Sequence, residues 1–394
     1  TLQLVMDGMK LAPLGPSFLT ERDAIVAAAQ ASSDAPQAAL DVADVWSGFA
    51  LRGMGASASI QVPGSGTGNT RVTEAFDLPN LYQTPLLTIS DVGGGDGDGF
   101  PEPGETLLVT IPLTNITGTT ATGVTLQIVG GGSADYGTIV NGATVTRTVD
   151  YLVSAGTACG SVVTLNMNVD SNLGPASFTH SFGIGEPTVT FSENFDGVTP
   201  PAFPAGWTAV ALQGGINVVN STTTPDTAPN AAFAQDPTTV GGGTDLTSPT
   251  FVVNAAAATL SFRNKYDTEQ DWDGGALEIS INGGAFQDII TAGGAFVQNG
   301  YNGTLGNYTN ANNPLGDRQA WTGNSGGYIT TIVRFPAAAV NQNIQLKWRF
   351  GADNNTAATG WWIDSIQIAG NYTCSVIGST PSPTPTNTPR SRKC

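Results

Sequence analysis

A glycine-rich acidic stretch at residues 91–105 holds the side chains best suited to metal binding. It reads DVGGGDGDGFPEPGE, and its carboxylates are Asp91, Asp96, Asp98, Glu102 and Glu105. Carboxylate oxygens separated by glycines can wrap around a hard cation such as calcium. The spacing fits a calcium loop only in part, because the Glu at the twelfth position of an EF-hand is out of register. The sequence predicts structural calcium here, with a solvated turn as the alternative. The predicted ligands are Asp96, Asp98, Glu102 and Glu105.

Two carboxylates in the C-terminal half form a second candidate. Glu193 opens the first predicted strand of a larger β unit, and Asp364 lies in its last strand. The first and last strands of a jelly roll are neighbours, so the two charges would repel each other unless a cation lay between them. Asp196 and Asp273 are candidates for additional ligands. The alternative is a hydrogen-bonded pair without metal, and in either case we expect a role in stability.

The sequence lacks the side chains that hydrolytic enzymes usually use for catalysis. Zinc hydrolases use about three protein ligands, usually including histidine, and Ser-His or Cys-His nucleophiles also need one. The single histidine is His180, in a predicted strand, where we expect it to face outward or to be satisfied. No local signature supports glycoside hydrolysis by paired carboxylates. We therefore expect no zinc and no enzymatic activity in this chain as it stands.

Length, charge and cysteine content limit the class of protein. The 394 residues suggest two or three domains. A net charge of −17 disfavours binding to nucleic acid or to anionic membranes. No apolar run is long enough to predict membrane insertion. Cys159, Cys374 and Cys394 allow one intramolecular disulfide and leave one cysteine over. Because the chain starts on Thr1, we expect a mature or trimmed fragment of a longer protein. The predicted location is outside the cell or on its surface.

Residues 1–60 show helical spacing, unlike the rest of the chain. Ser17 or Thr20 can cap a first amphipathic helix. Pro36 can open a second helix, and Gly53 is a suitable stop signal. Two short helices cannot form a domain alone, so we expect them to pack on another domain or molecule.

The remaining chain is predicted to be mostly β. Residues 61–85 read as a linker rich in turn residues. Short alternating runs in residues 86–186 indicate an immunoglobulin-like β-sandwich. Residues 187–371, with aromatic-rich strands, indicate a larger jelly-roll β-sandwich. The Thr/Pro-rich tail at 372–394 is expected to be extended. The predicted fold is thus two β-sandwiches with a short α-helical N-terminal segment.

Exposed tryptophans on a jelly roll can stack on sugar rings, although tryptophan is more often part of the core. Trp361 and Trp362 are adjacent in a predicted strand, so their side chains point to opposite faces. We expect one of them to be buried and the other to be a possible glycan contact.

Short motifs are spread along residues 3–60: Asp7-Gly8-Met9-Lys10-Leu11, Pro13, Pro16, Phe18, Arg22-Asp23-Ala24-Ile25, Trp46, Phe49-Ala50, Arg52-Gly53-Met54-Gly55 and, extending them, Glu74-Ala75-Phe76-Asp77. In these residues the segment resembles the end of the catalytic domain of fungalysin-type secreted metallopeptidases. The resemblance implies that the zinc motif of that family, HExxH with a downstream Glu, would lie upstream of residue 1. No catalytic residue is therefore carried over to this chain.

A second set of motifs lies in predicted strands and turns of residues 190–368: Glu193-Asn194-Phe195-Asp196-Gly197, Gly206-Trp207, Asp273-Gly274-Gly275-Ala276-Leu277-Glu278-Ile279-Ser280, Gly300-Tyr301-Asn302-Gly303, Ala320-Trp321-Thr322-Gly323 and Gly360-Trp361-Trp362-Ile363-Asp364. In these residues the chain resembles the jelly-roll accessory domain of immune inhibitor A-type secreted peptidases, which is similar to MAM domains. The resemblance implies a fold rather than a ligand. It also implies that a pair such as Glu193 and Asp364 can hold structural calcium.

Three functions fit this sequence. The first is a non-catalytic binding or adhesion region derived from a fungalysin-like peptidase. The second is a structural subunit of a self-assembling filament, sheath or surface layer, whose partner is a second copy of the chain. The third is a carbohydrate-binding module on a cell-surface or extracellular polymer. Nucleic acid is not an expected partner.

Overall fold

The N-terminal segment folds into helices that pack closely. The computed structural model describes residues 2–31, 35–61, 71–84, 86–212, 214–237, 241–306 and 313–375. Its helices are α1 (Leu2–Leu11), α2 (Phe18–Gln30) and α3 (Ala35–Ala50). Ser17 caps α2, because its hydroxyl accepts a hydrogen bond from the backbone N–H of Thr20 at 3.1 Å. Helix α1 is an addition to the two predicted helices, and Gly8 in its middle lowers its helix propensity.

Two residues of the fungalysin-like motifs hold this segment together. Gly8 lets α1 cross α2, since a Cβ there would lie 2.5 Å from Ile25 Cγ1. Arg22 is 6% exposed, and its Nη1 donates to the backbone carbonyl of Gly55 at 2.6 Å. Its guanidinium also lies 4.9 Å from the ring centroid of Trp46. These motif residues therefore have packing roles in the structure.

A β-hairpin and a first β-sandwich follow the helices. The hairpin pairs β1 (Ser59–Gln61) with β2 (Arg71–Thr73). The sandwich strands in the described residues are β3 (Tyr82–Gln83), β4 (Thr88–Ser90), β5 (Thr106–Asn115), β6 (Ala121–Ile128), β7 (Ser133–Ile139), β8 (Thr144–Leu152), β9 (Val162–Asp170) and β10 (Ala176–Gly183). One sheet has the order β10-β9-β6-β7, and in the other β5 pairs with β8 on one side and with β3 and β4 on the other. Strands β2 and β3 lie in the segment that the sequence analysis reads as a linker.

Alternation along β5 explains why the sandwich forms. Leu107, Val109, Ile111 and Leu113 are fully buried, whereas the residues between them are not. Tyr136 packs into the same core, and its hydroxyl donates to the backbone carbonyl of Ile111 at 2.8 Å. Burial raises the pKa of Tyr136 to about 12. The side of β5 that carries these apolar residues therefore faces the core of the sandwich.

A larger jelly-roll sandwich occupies the C-terminal half. Its strands in the described residues are β11 (Glu186–Glu193), β12 (Thr208–Leu212), β13 (Val219–Ser221), β14 (Ala231–Gln235), β15 (Gly242–Thr247), β16 (Phe251–Val252), β17 (Thr259–Asp267), β18 (Gly274–Ile281), β19 (Gln287–Asp288), β20 (Ala295–Gln298), β21 (Gly303–Thr304), β22 (Gln319–Thr322), β23 (Ile329–Arg334), β24 (Asn343–Ala352) and β25 (Gly360–Thr373). One sheet has the order β13-β14-β25-β17-β23-β20, with β11 also on β25. The other has the order β12-β15-β24-β18-β22-β21, with β16 on β24 and β19 on β18.

Aromatic rings fill the space between these two sheets. Phe262 on β17 contacts the edges of Trp321 and Trp348, each at a centroid distance of 5.7 Å. Trp361 packs against Trp321 at 5.9 Å. All four side chains are almost completely buried. The aromatic-rich strands thus form the core, and the predicted fold class, mostly β with a short helical N-terminal segment, is confirmed.

A covalent junction joins the two sandwiches. Cys159, in the first sandwich, forms a disulfide with Cys374, which follows β25. Beside it, the backbone N–H of Ala257 donates to the carbonyl of Gly160 at 2.8 Å. The first residues of the predicted tail, 372–375, are described and belong to the end of β25 and the disulfide junction, whereas residues 376–394, including Cys394, lie outside the described residues. No helix of the described chain is long and apolar enough to cross a membrane.

Candidate cation centres

The loop between β4 and β5 brings the predicted calcium ligands together. One oxygen from each of Asp91, Asp96 and Glu105 lies within 4.8 Å of one from each of the others. Asp96 also belongs to a second such group, with Asp98 and Glu102. The sequence prediction is therefore compatible with the geometry of this loop, and Asp91 joins the four predicted ligands.

Glu105 organises the loop from its buried position. It is 0% exposed, and its carboxylate accepts hydrogen bonds from the backbone N–H groups of Asp96 at 3.1 Å and Glu102 at 2.8 Å. Burial raises the pKa of Glu105, and the neighbouring charges of Asp91 and Glu102 add to the effect. Gly95 passes so close to Glu105 that a Cβ would overlap its Oε1. The glycines thus let the backbone wrap around the carboxylates.

Asp91 has one carboxylate oxygen without a partner. The side chain is 2% exposed, and its Oδ2 accepts a hydrogen bond from the N–H of Gly99 at 3.1 Å. Its Oδ1 is buried and makes no hydrogen bond. A buried charged oxygen without a partner is costly, and a cation would satisfy it.

The same loop also contacts the end of the jelly roll. The backbone N–H of Ser375 donates to Glu102 Oε1 at 2.6 Å, and the Ser375 hydroxyl donates to Asp96 Oδ2 at 2.8 Å. Ser375 directly follows Cys374 of the disulfide. The acidic loop therefore lies at the junction of the two sandwiches.

The carboxylates of Glu193, Asp196 and Asp364 have protein donors. Glu193 on β11 is paired with Ile366 of β25, so the two strands are neighbours as expected. Asp364 is fully buried, and it accepts from the backbone N–H groups of Asp226 and Thr227, both at 2.9 Å. Burial raises the pKa of Asp364 despite these hydrogen bonds.

Asp196 and Glu193 are hydrogen-bonded in a similar way. Asp196 Oδ1 accepts from the N–H of Asn230 at 2.8 Å, and Glu193 Oε1 accepts from the N–H of Phe195 at 2.7 Å. Among the described residues, no group of three close ligand oxygens contains Glu193, Asp196 or Asp364. Protein hydrogen bonds therefore hold each of these three carboxylates.

Asp273 belongs to a different group of carboxylates. One of its oxygens lies within 4.8 Å of oxygens of Glu269 and Asp353. Asp236 is also a neighbour, since its charge helps to raise the pKa of Asp273 to about 9, although burial is the larger cause. Sequence reasoning missed the other three residues. Asp236 and Asp353 lie in distant segments, and Glu269, although only four residues before Asp273, belongs to no motif that marks it as a ligand.

His180 lies on β10 opposite Leu165 of β9 and is partly buried. Burial lowers its pKa, and the positive charge of Arg334 lowers it further. The groups of metal-ligating side chains found among the described residues contain carboxylates only.

Trp361 and Trp362 are both buried, with exposures of 1% and 2%. Trp362 does face away from Trp361, but its ring stacks on Phe233 at 4.6 Å and lies 4.6 Å from Lys265 Nζ. The expectation that one of the two is free to contact a sugar is therefore wrong. Stacking on the outer face of the sheet covers the ring that alternation alone would expose.

The N-terminal segment is similar in sequence to known proteins. Residues 1–58 match the family described as fungalysin metallopeptidase (M36). An extracellular metalloproteinase of Leptosphaeria maculans is 39% identical over 79 residues, which are 20% of this chain and 11% of that protein. One from Aspergillus terreus is 37% identical over 79 residues, with the same shares. The chain thus spans about a tenth of the length of these curated relatives.

The solved structures to which the chain is similar have low similarity scores. A carbohydrate-binding module of the β-sandwich superfamily is 12% identical, with a TM-score of 0.27, and the match covers 73% of this chain and 97% of that chain. The K1 cleaved adhesin domain of Lys-gingipain from Porphyromonas gingivalis is 15% identical, with a TM-score of 0.26, covering 47% and 99%. Such low values do not indicate a ligand for this chain.

The family match relates residues 1–58 to fungalysin metallopeptidases, and both β-sandwiches lie outside that match.

Proposed function

We propose that the two β-sandwiches are a non-catalytic binding or adhesion region of an extracellular fungalysin-like metallopeptidase. One observation carries this proposal: the fungalysin match ends at residue 58, before the first strand of either sandwich. The matched segment contributes packing residues such as Gly8 and Arg22. The groups of close ligating side chains in the described chain are carboxylates, which suit a structural cation better than hydrolytic zinc.

The helical segment presents apolar side chains to solvent. Leu2, Met9, Phe18 and Leu51 are between 65% and 80% exposed. Large apolar side chains exposed to this extent are suitable for contact with another protein surface. In our proposal, the upstream part of a peptidase catalytic domain covers them.

Protein chemistry on native material tests this proposal. Mass spectrometry should find peptides that run without a break from an HExxH-containing region into the sequence TLQLVMDGMK. The purified 394-residue chain should not hydrolyse casein, and it should be retained on cell-surface material from the source organism. A native polypeptide that begins at Thr1, with no peptidase expressed as part of the same chain, would contradict the peptidase relationship.

Self-assembly is the alternative that the same exposed helices favour. If copies of the chain covered these residues for one another, the purified chain would form oligomers or filaments in sedimentation and electron microscopy experiments. Substitution of Phe18 by Ser would then dissociate them. Monodisperse monomers in native buffer would exclude this alternative.

Calcium in the loop between β4 and β5 is part of the proposal. The buried and unpartnered Asp91 Oδ1 supports it, together with the close oxygens of Asp96 and Glu105. We expect calcium to slow hydrogen exchange in peptides covering residues 91–106, and we expect Asp91→Asn to remove that protection. Asp150→Asn, which changes an exposed carboxylate elsewhere, is the matched control. If calcium protects this loop equally in both variants, the assignment is wrong.

A further inference from the structure

We infer that Asp236, Glu269, Asp273 and Asp353 form a calcium-type cation site at one end of the jelly roll. Asp236 follows β14, and Glu269 and Asp273 lie between β17 and β18. Asp353 follows β24. These segments come from both sheets, so one ion would connect the two layers of the sandwich. The inference is independent of the proposed function.

A single backbone segment fixes one oxygen of each carboxylate. The N–H of Asp353 donates to Asp273 Oδ1 at 2.6 Å, and the N–H of Ala358 donates to Asp236 Oδ2 at 2.9 Å. Thr356 donates a backbone hydrogen bond to Glu269, and the N–H of Asn355 donates to Asp353 Oδ1 at 2.8 Å. Residues 353–358 therefore hold all four side chains in place.

The second oxygens of three of these carboxylates accept no hydrogen bond from a backbone N–H or from a basic, amide or hydroxyl side chain. They are Asp236 Oδ1, Glu269 Oε2 and Asp273 Oδ2, and all three are inaccessible to solvent. Asp236 and Asp273 are each only 1% exposed. Asp236 and Asp273 contact each other, and two carboxylates can share such a contact only with a proton or a cation between them. Buried carboxylate oxygens are normally hydrogen-bonded or coordinated to a metal. Oxygens of Glu269, Asp273 and Asp353 lie within 4.8 Å of one another, so these carboxylates together mark the position of a positively charged ligand.

Basic side chains do not fill this role here. In the described part of the chain, no lysine or arginine forms an ion pair with any of the four carboxylates. Other buried carboxylates of the same domain do have such partners. Asp245 pairs with Arg349 at 2.7 Å, and Glu278 pairs with Arg318. The pKa of Asp245 is lowered accordingly, whereas burial raises that of Asp236.

The donor set selects the class of cation. All candidate ligands are oxygen atoms, which calcium and magnesium prefer over the nitrogen and sulfur ligands typical of zinc. Several direct carboxylates suit calcium, because magnesium tends to keep its own water ligands. The site therefore fits calcium better than magnesium or zinc.

Calcium titration of the full chain, after removal of metal with a chelator, tests the site. Wild-type protein at calcium about 100-fold above its Kd should unfold at a temperature about 5 to 10 °C higher than in chelator. Asp273→Asn should lose most of that rise. In chelator at neutral pH, the same variant should unfold at or above the wild-type temperature, since folding no longer has to place a proton on a buried Asp273 that is ionised in the unfolded chain. A purely structural role for Asp273 would instead make the variant less stable in both conditions.

Asp271→Asn is the matched control, because Asp271 is exposed on the same loop and has a left-handed backbone that Asn tolerates. The Asp271→Asn variant should show the same calcium-dependent rise in unfolding temperature as the wild type. Hydrogen exchange should locate calcium-dependent protection in residues 353–358, and Asp91→Asn should not change it. Equal responses of Asp273→Asn and Asp271→Asn, no protection at 353–358, or a response to magnesium without one to calcium would overturn the inference.

Discussion

Removal of the Cys159–Cys374 disulfide should lower the free energy of unfolding by up to about 5 kcal/mol. The two cysteines are 215 residues apart, so the bond closes a loop that contains the whole jelly roll. The entropy that such a cross-link removes from the unfolded chain grows slowly with loop length and reaches about 5 kcal/mol for this separation. The junction is already fixed by hydrogen bonds such as that from Ala257 to Gly160, which limits the loss of folded structure.

Chemical denaturation of Cys159→Ser/Cys374→Ser beside the oxidised wild type measures this effect. Cys394→Ser is the control for general effects of cysteine replacement, and it should unfold like the wild type. A reducing agent should lower the free energy of unfolding of the wild type by the same amount as the double substitution does. It should not change the free energy of unfolding of the double variant. A difference below about 1 kcal/mol would show that the disulfide does not constrain the unfolded chain.

Metal-free protein should become less stable as the pH rises from about 4 to about 9. The pKa of Asp273 is raised from its usual 3.8 to about 9, by burial first and then by the charge of Asp236. Within this window the folded protein keeps a proton that the unfolded chain has lost. Stability is therefore greatest below the unfolded pKa and is lost as the pH approaches the folded pKa. The largest slope from one such group is about 1.4 kcal/mol per pH unit.

The range between pH 7 and pH 9 tests this effect. The pKa of His180 is lowered by burial, so its stabilising contribution has the opposite sign and changes only at lower pH. Thermal unfolding in chelator should show a falling midpoint in this range for the wild type and for Asp271→Asn. The slope should be flatter for Asp273→Asn. The same slope in all three proteins would exclude Asp273 as its source.

Local patterns in the sequence account for much of the fold. The spacing of Leu107, Val109, Ile111 and Leu113 predicts strand β5, because alternate side chains point to the same face. Ser17 predicts the start of α2, because a cap acts within three residues. The carboxylates between residues 91 and 105 were also predictable as a group, since one short loop carries them all.

Contacts between distant segments were not predictable in this way. Three cysteines allow three pairings, and only the packing of β25 beside the first sandwich selects Cys159 with Cys374. The outer face of Trp362 is covered by Phe233, which lies on another strand. The order of the strands suggested that Asp364 would face the carboxylate of Glu193. In the structure, Asp364 instead accepts a hydrogen bond from the backbone N–H of Asp226, which lies in a distant loop. In each case the partner is far away in the sequence.

The candidate metal ligands show most clearly the difference between features that depend on local sequence and features that depend on contacts between distant segments. The sequence by itself determined that this chain offers carboxylates, a single histidine and a loop able to wrap a cation, because these depend on residue type and short spacing. Only the tertiary structure decided that Asp273 lies with Asp236, Glu269 and Asp353. Their segments meet when the two sheets of the jelly roll pack together, and burial then removes the water that would otherwise solvate their charges.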